Sequence, residues 1–274
     1  LLTISLSVSL SISSWAQSTI GVTGVRDNSY NSYSALKTTL KTHPNALLVI
    51  ENQYANVTEK RDVVYAKIGD RELKLDAFYP KEKNHQPHPA ILIIHGGGWR
   101  SGNRAQHIPL AQKLASLGYA TFTAEYRLST EALYPAAVQD LKAAVRWIRA
   151  NASQYHVDAS KIASLGFSAG GHLASTASTH YDDKVYESAY KVSARPDFSL
   201  LIYPVISMEN ETTHKGSQTN LLGNNPSQDV IDSFSNEKKV TSQTPPAFLI
   251  HSTDDTVVIP ENSINYYLSL KKNG

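Results

Sequence analysis

The sequence contains no cysteine and only one methionine among its 274 residues. The absence of cysteine excludes disulfide bonds, a thiol nucleophile, a thiolate metal site and a lipid-modified cysteine at the start of a mature chain. Export remains compatible with this composition, because many exported proteins have no disulfide bonds. A strong charge of one sign is also missing, since the formal net charge is +2 at pH 7. Composition therefore gives no general electrostatic reason to expect nucleic acid or an anionic membrane as a partner.

The first 16 residues have the pattern of a signal peptide remnant. Residues 1–12 are apolar and rich in serine, and Ser14-Trp15-Ala16 has the small-x-Ala pattern of a cleavage site after Ala16. This run is too short and too rich in serine for an integral membrane span in the mature chain. The pattern indicates a secreted or periplasmic protein, with a buried strand or a disordered leader as the alternative. Because neither a methionine nor a basic region precedes the run, we expect the chain to be cut at its front.

Residues 17–60 are predicted to form an N-terminal extension, since they are polar and show no recurring strand pattern. A short helix is expected over 34–42 and a short strand over 46–50. A pro-segment or surface extension without a chemical role is the interpretation that this composition favours.

From residue 61 onward the pattern becomes that of an α/β domain, which we expect to extend over 61–274. Two β-type runs around Gly69-Asp70 predict an antiparallel hairpin. The uniformly apolar run 90–94 predicts a strand that is covered on both faces. Strands then alternate with helices, of which 135–150 is the most amphipathic, and this predicts a mostly parallel sheet with helices on both faces. The polar segment 204–246 is interpreted as an insertion or cap loop beside the active site.

A serine flanked by glycines stands in the stretch Gly166-Phe167-Ser168-Ala169-Gly170, after a short apolar run and before a helical pattern of small residues. Strand, sharp turn and helix are the context of a nucleophile elbow, which holds the serine hydroxyl clear of the sheet. Glycines are needed because the turn is strained and other backbone passes close to it. Since G-x-S-x-G is common by chance, the assignment of Ser168 as the nucleophile depends on the rest of the chain.

A second glycine motif, His95-Gly96-Gly97-Gly98-Trp99, follows the third predicted strand. Attack of a serine on an ester creates an oxyanion that preorganised donors must meet. Consecutive glycines let backbone N–H groups turn toward one point, so Gly97 and Gly98 are the expected donors, together with the N–H of Ala169. The histidine and the tryptophan of the motif are expected to support this loop. A phosphate-binding loop is the competing interpretation, but neither G-x-x-x-x-G-K-[ST] nor G-x-G-x-x-G occurs.

The order and spacing of the two glycine motifs resemble those of the α/β-hydrolase superfamily, in the branch that has an H-G-G-G oxyanion loop. Within this branch the chain is similar to exported bacterial carbohydrate esterases that are described as acetylxylan- or feruloyl-esterase-like. The resemblance runs from Asp62 to the end of the chain. It also includes the motifs Glu125-Tyr-Arg-Leu128, Tyr134-Pro135-Ala136, Tyr203-Pro204-Val205-Ile206 and the segment 245–263.

The resemblance places the acid of a catalytic triad after a late strand, in the stretch 248–258 that contains Asp254 and Asp255. Adjacent side chains point in different directions, so only one of them can face a catalytic histidine. The family's spacing from the histidine at the strand end matches Asp255, which leaves Asp254 as a loop carboxylate. Two solvated turn acids are the alternative. His172 lies one turn into the helix after Ser168 and is expected to pack or hydrogen-bond as a supporting residue.

In this fold the histidine of the triad follows the acid, yet all ten histidines of the sequence precede Asp255. We therefore expect the last strand and the histidine loop of the domain to be missing, with the histidine beyond Gly274. Loss of a triad member removes most of the rate acceleration, so the chain as it stands is expected to be inactive or impaired.

The function implied by the resemblance is that of a serine carboxylic-ester hydrolase. It would remove acetyl or feruloyl groups from plant polysaccharides or oligosaccharides through an acyl-serine intermediate, without a metal or an organic cofactor. A serine peptidase or a general short-chain esterase of the same fold is the first alternative. A catalytically inactive binding protein is the second. The residues do not separate acetyl from feruloyl substrates, because such specificity depends on the shape of the pocket.

Overall fold

The computed structural model describes residues 22–82 and 86–274, so the residues predicted as a signal peptide remnant lie outside it. The described residues form seven strands: β1 Val57–Ile68, β2 Arg71–Pro80, β3 His88–Ile94, β4 Ala120–Ala124, β5 Val157–Phe167, β6 Phe198–Ile202 and β7 Ala247–Ile250. They also form seven α-helices: α1 Ser32–Thr39, α2 Ile108–Ser116, α3 Ala136–Ala150, α4 Ala169–Thr179, α5 Lys215–Leu222, α6 Gln228–Phe234 and α7 Glu261–Lys272. None of these helices is both long and apolar enough to cross a membrane.

All seven strands belong to one mixed sheet, in the order β1-β2-β4-β3-β5-β6-β7. The hairpin of β1 and β2 is antiparallel and joins β4 in the antiparallel sense. The remaining strands, in the sheet order β4, β3, β5, β6 and β7, run parallel to one another. A mostly parallel sheet with a hairpin at one edge is what the sequence predicts. In such a sheet the carboxyl ends of the strands lie along one edge, where ligand sites are usually found.

The centre of the sheet is covered on both faces. The stretch 91–94 of β3 is buried throughout, as the uniform apolar run predicts for a strand between two helical layers. Helix α2 packs on one face, and α3 and α4 pack on the other. At the β7 edge the cover is one-sided, since Phe248 and Ile250 remain about half exposed, at 52% and 49%.

The N-terminal segment is partly helical, and α1 begins at a cap in which the Asn31 side chain accepts from the backbone N–H of Ser34. The predicted strand at 46–50 is wrong, because no strand forms there. Its apolar side chains Leu47, Val49 and Ile50 are 88%, 74% and 72% exposed. β-branched residues favour a strand only where a neighbouring strand pairs with them, and this segment has no such neighbour among the described residues.

The segment 204–246 contains two helices and a 3₁₀ turn at Asn236–Lys239. It is less exposed than its polar composition suggests, because several of its side chains are buried against α4 and α7. The Asn236 side chain is fully buried and donates to the His172 carbonyl (3.2 Å) and to the Ser175 hydroxyl (2.7 Å). These contacts hold the segment firmly against the helix that follows Ser168.

Candidate active site

Ser168 lies at the sharp turn between β5 and α4. Its backbone angles, φ 52° and ψ −120°, are rare for a residue with a side chain and cost about 1–3 kcal/mol. Peptide groups hold the turn, since the Ser168 N–H donates to the Ile202 carbonyl (3.1 Å) and the Ser168 carbonyl accepts from the Val205 N–H (3.1 Å). A side chain at Gly166 would lie 2.2 Å from the Gly170 carbonyl oxygen, so only glycine fits there.

The Ser168 side chain is half-buried. Within residues 22–82 and 86–274, no group forms a hydrogen bond with its hydroxyl. A strained turn that presents an unpaired hydroxyl at the carboxyl end of a central strand is the geometry that a serine nucleophile needs.

The glycine loop after β3 lies against this turn. A Cβ atom at Gly96 would lie 2.9 Å from the Phe167 carbonyl oxygen and 3.3 Å from Ser168 Cβ. Gly97 has φ 116° and Gly98 has φ 61°, both in a region that favours glycine. The loop therefore folds back next to the serine, and a side chain at Gly96 would obstruct this approach.

The carbonyl groups of the three glycines all have hydrogen-bond donors. These are His95 Nδ1 for Gly96 (2.7 Å), Ser101 N–H for Gly97 (3.0 Å) and Asn220 Nδ2 for Gly98 (2.7 Å). In a trans peptide the C=O and N–H bonds point in opposite directions. Fixing the Gly96 and Gly97 carbonyls therefore turns the N–H groups of Gly97 and Gly98 to the opposite side.

The N–H groups of Gly97, Gly98 and Ala169 have no hydrogen-bond acceptor in the described part of the chain. Ala169 is the first residue of α4, where a helix leaves its N–H groups unpaired and carries a partial positive charge. Within the described residues, the three N–H groups predicted as donors are thus all unpaired.

His95 is fully buried behind the glycine loop. Its ring stacks on Tyr126 with 4.5 Å between the ring centroids, and the Tyr126 hydroxyl donates to the His95 carbonyl (2.9 Å). Burial lowers the pKa of the His95 imidazole from 6.5 to about 3, and the charge of Arg26 acts in the same direction. The ring is therefore neutral near pH 7 and supports the loop.

The Trp99 ring at the end of the glycine motif packs against His172 in α4. Their rings meet edge to face with 5.6 Å between centroids. His172 is fully buried, and its Nε2 donates to the Phe234 carbonyl (2.8 Å). Burial lowers the pKa of His172 to about 4, so a neutral ring connects α4 to α6. Trp99 also lines a pocket with Tyr134 and Asn220.

The two adjacent aspartates after β7 differ in their surroundings. Asp254 is exposed, and its carboxylate accepts from the Ser252 hydroxyl. Asp255 has a side chain that is 21% exposed, and its Oδ1 accepts from the N–H groups of Val257 (2.9 Å) and Val258 (3.0 Å). These two bonds fix the orientation of the Asp255 carboxylate, whereas Asp254 extends into solvent.

Ser168 follows β5 and Asp255 follows β7, and β6 lies between these strands. Ser168 and Asp255 therefore both follow strands at the carboxyl edge of the parallel part of the sheet.

The histidines of the described residues do not occupy this position, because none of them hydrogen-bonds to Ser168. His251 lies nearest to the acid, with 3.6 Å between its Nε2 and Asp255 Oδ2. Its ring nitrogens, however, are bound to the Ser263 hydroxyl (2.7 Å) and the Val258 carbonyl (2.6 Å). No cluster of three or more His, Cys, Asp or Glu side chains in the described residues could hold a metal ion.

Two residues of the site had no predicted role. Tyr126 belongs to the motif Glu125-Tyr-Arg-Leu128, so the sequence carried a signal without a stated function. Asn220 is in the polar segment 204–246, where nothing in the sequence distinguishes it from its neighbours.

The BD-FAE family model matches residues 75–270 of the chain. The acetylxylan esterase of Xylanibacter ruminicola is 34% identical over 75% of this chain and 41% of its own length. The endo-1,4-beta-xylanase B of Butyrivibrio fibrisolvens is 35% identical over 66% of this chain and 29% of its own length. The chain thus spans less than half the length of these two relatives.

Among solved structures, the acetyl ester-xyloside bifunctional hydrolase of Caldicellulosiruptor lactoaceticus has a TM-score of 0.70 and 36% identity, covering 78% of this chain and 82% of the other. Esterase 2 of Thermogutta terrifontis has a TM-score of 0.67 and 29% identity, covering 81% of each chain. These likenesses confirm the α/β-hydrolase fold that the glycine motifs led us to expect. With a family match over most of the α/β domain, the chain belongs to the BD-FAE family.

Proposed function

We propose that the chain is the hydrolase domain of a serine carboxylic-ester hydrolase that removes acyl groups from plant polysaccharides or oligosaccharides. The observation that carries the proposal is the contact between two features. A strained Ser168 turn with an unpaired hydroxyl lies against a glycine loop whose N–H groups have no acceptor in the described residues. This arrangement fits an acyl carbon at the serine and an oxyanion at the three donors.

The proposed mechanism is acyl transfer in two steps. The Ser168 hydroxyl loses its proton to an imidazole base and attacks the ester carbonyl, and the alcohol leaves with the proton returned by the imidazolium. The N–H groups of Gly97, Gly98 and Ala169 stabilise the oxyanion of each tetrahedral intermediate. Water, activated by the same base, then releases the carboxylic acid. Asp255 orients the imidazole and stabilises its charged form.

The base in this mechanism must reach both Ser168 and Asp255. Because none of the described histidines hydrogen-bonds to Ser168, we propose that free imidazole can take this position when it is added to a solution of the polypeptide of residues 1–274. The test is hydrolysis of p-nitrophenyl acetate with increasing imidazole, compared with the Ser168→Ala variant at the same concentrations. The difference between the two proteins, the Ser168-dependent rate, is expected to rise and saturate, because imidazole binds at a defined place. Equal rates in both proteins would refute the assignment of Ser168.

For the substrate, we propose acetylated xylan or its oligosaccharides. The support comes from the relatives, one named as an acetylxylan esterase and one as an acetyl ester-xyloside hydrolase. The deciding measurement is release of acetate from acetylated xylan beside release of ferulate from a feruloylated arabinoxylan. Acetate release that depends on Ser168 supports the proposal. Ferulate release alone would replace acetyl by feruloyl as the acyl group.

A catalytically inactive binding protein is the alternative from another class. It is disfavoured by the unpaired Ser168 hydroxyl and by the free donors of the glycine loop, since a binding protein gains nothing from a strained serine. Binding of xylan without Ser168-dependent acetate release would favour it. We also propose secretion or a periplasmic location, on the basis of the apolar and serine-rich run that ends before Ala16.

A further inference from the structure

Arg26 reaches the oxyanion loop from the N-terminal segment. One guanidinium nitrogen, Nη2, lies 3.1 Å from His95 Nε2 and donates to the Gly102 carbonyl (2.8 Å). The other, Nη1, donates to the Tyr126 carbonyl (2.8 Å) and to the Glu131 carboxylate (3.2 Å). The side chain is only 12% exposed. One planar group thus joins the loop after β3 to the loop after β4.

The contact with Arg26 determines which nitrogen of His95 carries the proton. A guanidinium only donates hydrogen bonds, so His95 Nε2 must accept, and the proton of the neutral ring lies on Nδ1. Nδ1 then donates to the Gly96 carbonyl, 2.7 Å away. With the opposite tautomer, a lone pair on Nδ1 would face the lone pairs of that carbonyl oxygen. The bond to the Gly96 carbonyl therefore requires the tautomer that Arg26 selects.

The orientation of the Gly96 carbonyl matters for the donors. Because C=O and N–H are opposed across the Gly96–Gly97 peptide, a carbonyl held toward His95 directs the Gly97 N–H away from it. This is one of the N–H groups without an acceptor among the described residues. If the Gly96–Gly97 peptide could rotate, the Gly97 N–H would not keep this direction. An oxyanion donor is effective only when it is held in place before the reaction.

The segment around Arg26 is itself attached to the same loops. The N–H groups of Thr23 and Gly24 both donate to the Thr130 carbonyl at 2.9 Å. Asp27 forms an isolated parallel bridge with Ser101, in the turn that follows the glycine loop. Arg26 is therefore anchored on both sides, although it lies outside the residues 75–270 that match the family model.

We propose that Arg26 is a positioning residue for the oxyanion loop, acting through the tautomer of His95 and the Gly96 carbonyl on the Gly97 N–H. This inference rests on the proposed function for its kinetic consequence, but its structural part does not. It gives residues 22–27 a role in catalysis without contact with the substrate.

The test compares Arg26→Met with Arg61→Met as a matched control. Arg61 is also an ion-paired arginine, bound to Glu51 and Glu59, but it does not contact the oxyanion loop. The proteins are labelled with ¹⁵N at histidine, and the NMR signals of His95 are identified by their absence from the spectrum of His95→Asn. The unmodified protein and Arg61→Met are expected to show a protonated Nδ1 and an unprotonated Nε2. In Arg26→Met, His95 is expected to be no longer restricted to the tautomer that is protonated on Nδ1.

The kinetic measurement is the Ser168-dependent hydrolysis of p-nitrophenyl acetate at saturating imidazole. Complete loss of an oxyanion donor costs about 10²–10³ in kcat, so a donor that is only loosened should cost about 10- to 100-fold, with a much smaller change in KM. Arg61→Met should keep both constants. A general loss of stability would lower the active fraction and not the tautomer, so urea unfolding of each variant separates the two effects.

An unchanged His95 tautomer in Arg26→Met overturns the proposal, whatever the rate. A changed tautomer with the kcat of Arg61→Met overturns the link to the donors. If no Ser168-dependent rate exists at all, the proposed function fails, while the ¹⁵N measurement still decides the role of Arg26. If Arg26→Met does not fold, Arg26→Lys is used with Arg61→Lys as its control. Lysine keeps the charge but lacks the planar fork that reaches both loops, so the same changes are expected.

Discussion

Replacement of Gly97 by alanine is the most direct perturbation of the proposed oxyanion site. Gly97 has φ 116°, and a Cβ atom there would lie 2.1 Å from the Ser101 carbonyl oxygen and 2.6 Å from its carbonyl carbon. Both atoms belong to backbone, so they cannot rotate away as the end of a side chain would. The loop must move to accept the methyl group, and the N–H groups of Gly97 and Gly98 move with it.

The matched control is Gly118→Ala, in the turn before β4. Gly118 has φ 104°, but a Cβ atom there would meet nothing within 4 Å. Both substitutions incur the cost of a side chain in a left-handed backbone conformation, about 1–2 kcal/mol. Only Gly97→Ala adds a collision with backbone. The difference between the two variants therefore isolates the displacement of the loop.

Loss of one oxyanion donor lowers kcat by about 10²–10³, or about 3–4 kcal/mol of transition-state stabilisation. A displacement of about 1 Å can cost a similar factor. We expect Gly97→Ala to lower the Ser168-dependent kcat for p-nitrophenyl acetate by at least about 100-fold. Gly118→Ala should keep kcat within about twofold, because a folded protein with an intact site reacts normally.

The assay follows kcat and KM at saturating imidazole, together with urea unfolding of each variant. If Gly97→Ala retains the kcat of Gly118→Ala, the glycine loop does not supply the oxyanion donors. If both variants lose activity in proportion to their loss of folded protein, the effect is one of stability and the assignment of Gly97 is refuted.

Two further predictions concern the acid and the buried histidines. Asp255→Asn should lower the Ser168-dependent kcat by about 100-fold or more, because an amide neither orients nor stabilises an imidazolium as a carboxylate does. Substitution of the exposed neighbour, Asp254→Asn, is the control. Equal effects of the two substitutions on kcat would contradict the assignment of Asp255. For His172, the pKa of about 4 in the folded state lies below the ordinary 6.5, so the unfolded chain takes up a proton on acidification that the folded protein does not. The free energy of unfolding should therefore fall by about 3 kcal/mol between pH 6.5 and 4 on account of this group, and stay independent of it above pH 6.5. Urea unfolding across this range should show a smaller loss of unfolding free energy in His172→Gln than in the unmodified protein, and the full loss in exposed His43→Gln. The same pH dependence in all three proteins would show that His172 is not the group responsible.

Much of the sheet could be predicted because its strands are marked by local patterns. The apolar run of β3 and the amphipathic helix α3 each contain their own signal, since burial on two faces or on one face determines the residues directly. The strand expected at 46–50 had a similar apolar content but no neighbouring strand to pair with. Whether a run of apolar residues becomes a strand depends on that partner, and a single segment of sequence does not contain it.

In the candidate site, too, some residues could be predicted from a local motif and others could not. Ser168 and the glycines of the loop stand in short motifs, because a tight turn and a close approach of backbone both demand glycine at fixed positions. Asp255 could be separated from Asp254 only through the spacing known for the family. The structure adds a physical difference, since Asp255 accepts from the N–H groups of Val257 and Val258, whereas Asp254 is exposed. Arg26 had no sequence signal, because its partner His95 is 69 positions away along the chain.

The direction of the proposed oxyanion donors depends on contacts from distant parts of the chain. The three glycines permit many conformations, and a loop with such freedom would lose entropy when it bound an oxyanion. The Ser101 turn restrains the loop locally, but the Gly98 carbonyl is held by Asn220, which is 122 positions away. Segment 204–246 therefore does more than border the site, because it contributes one of the bonds that select a single conformation of the loop. For this reason the glycine motif marks the position of the proposed donors, whereas their alignment is a property of the folded domain.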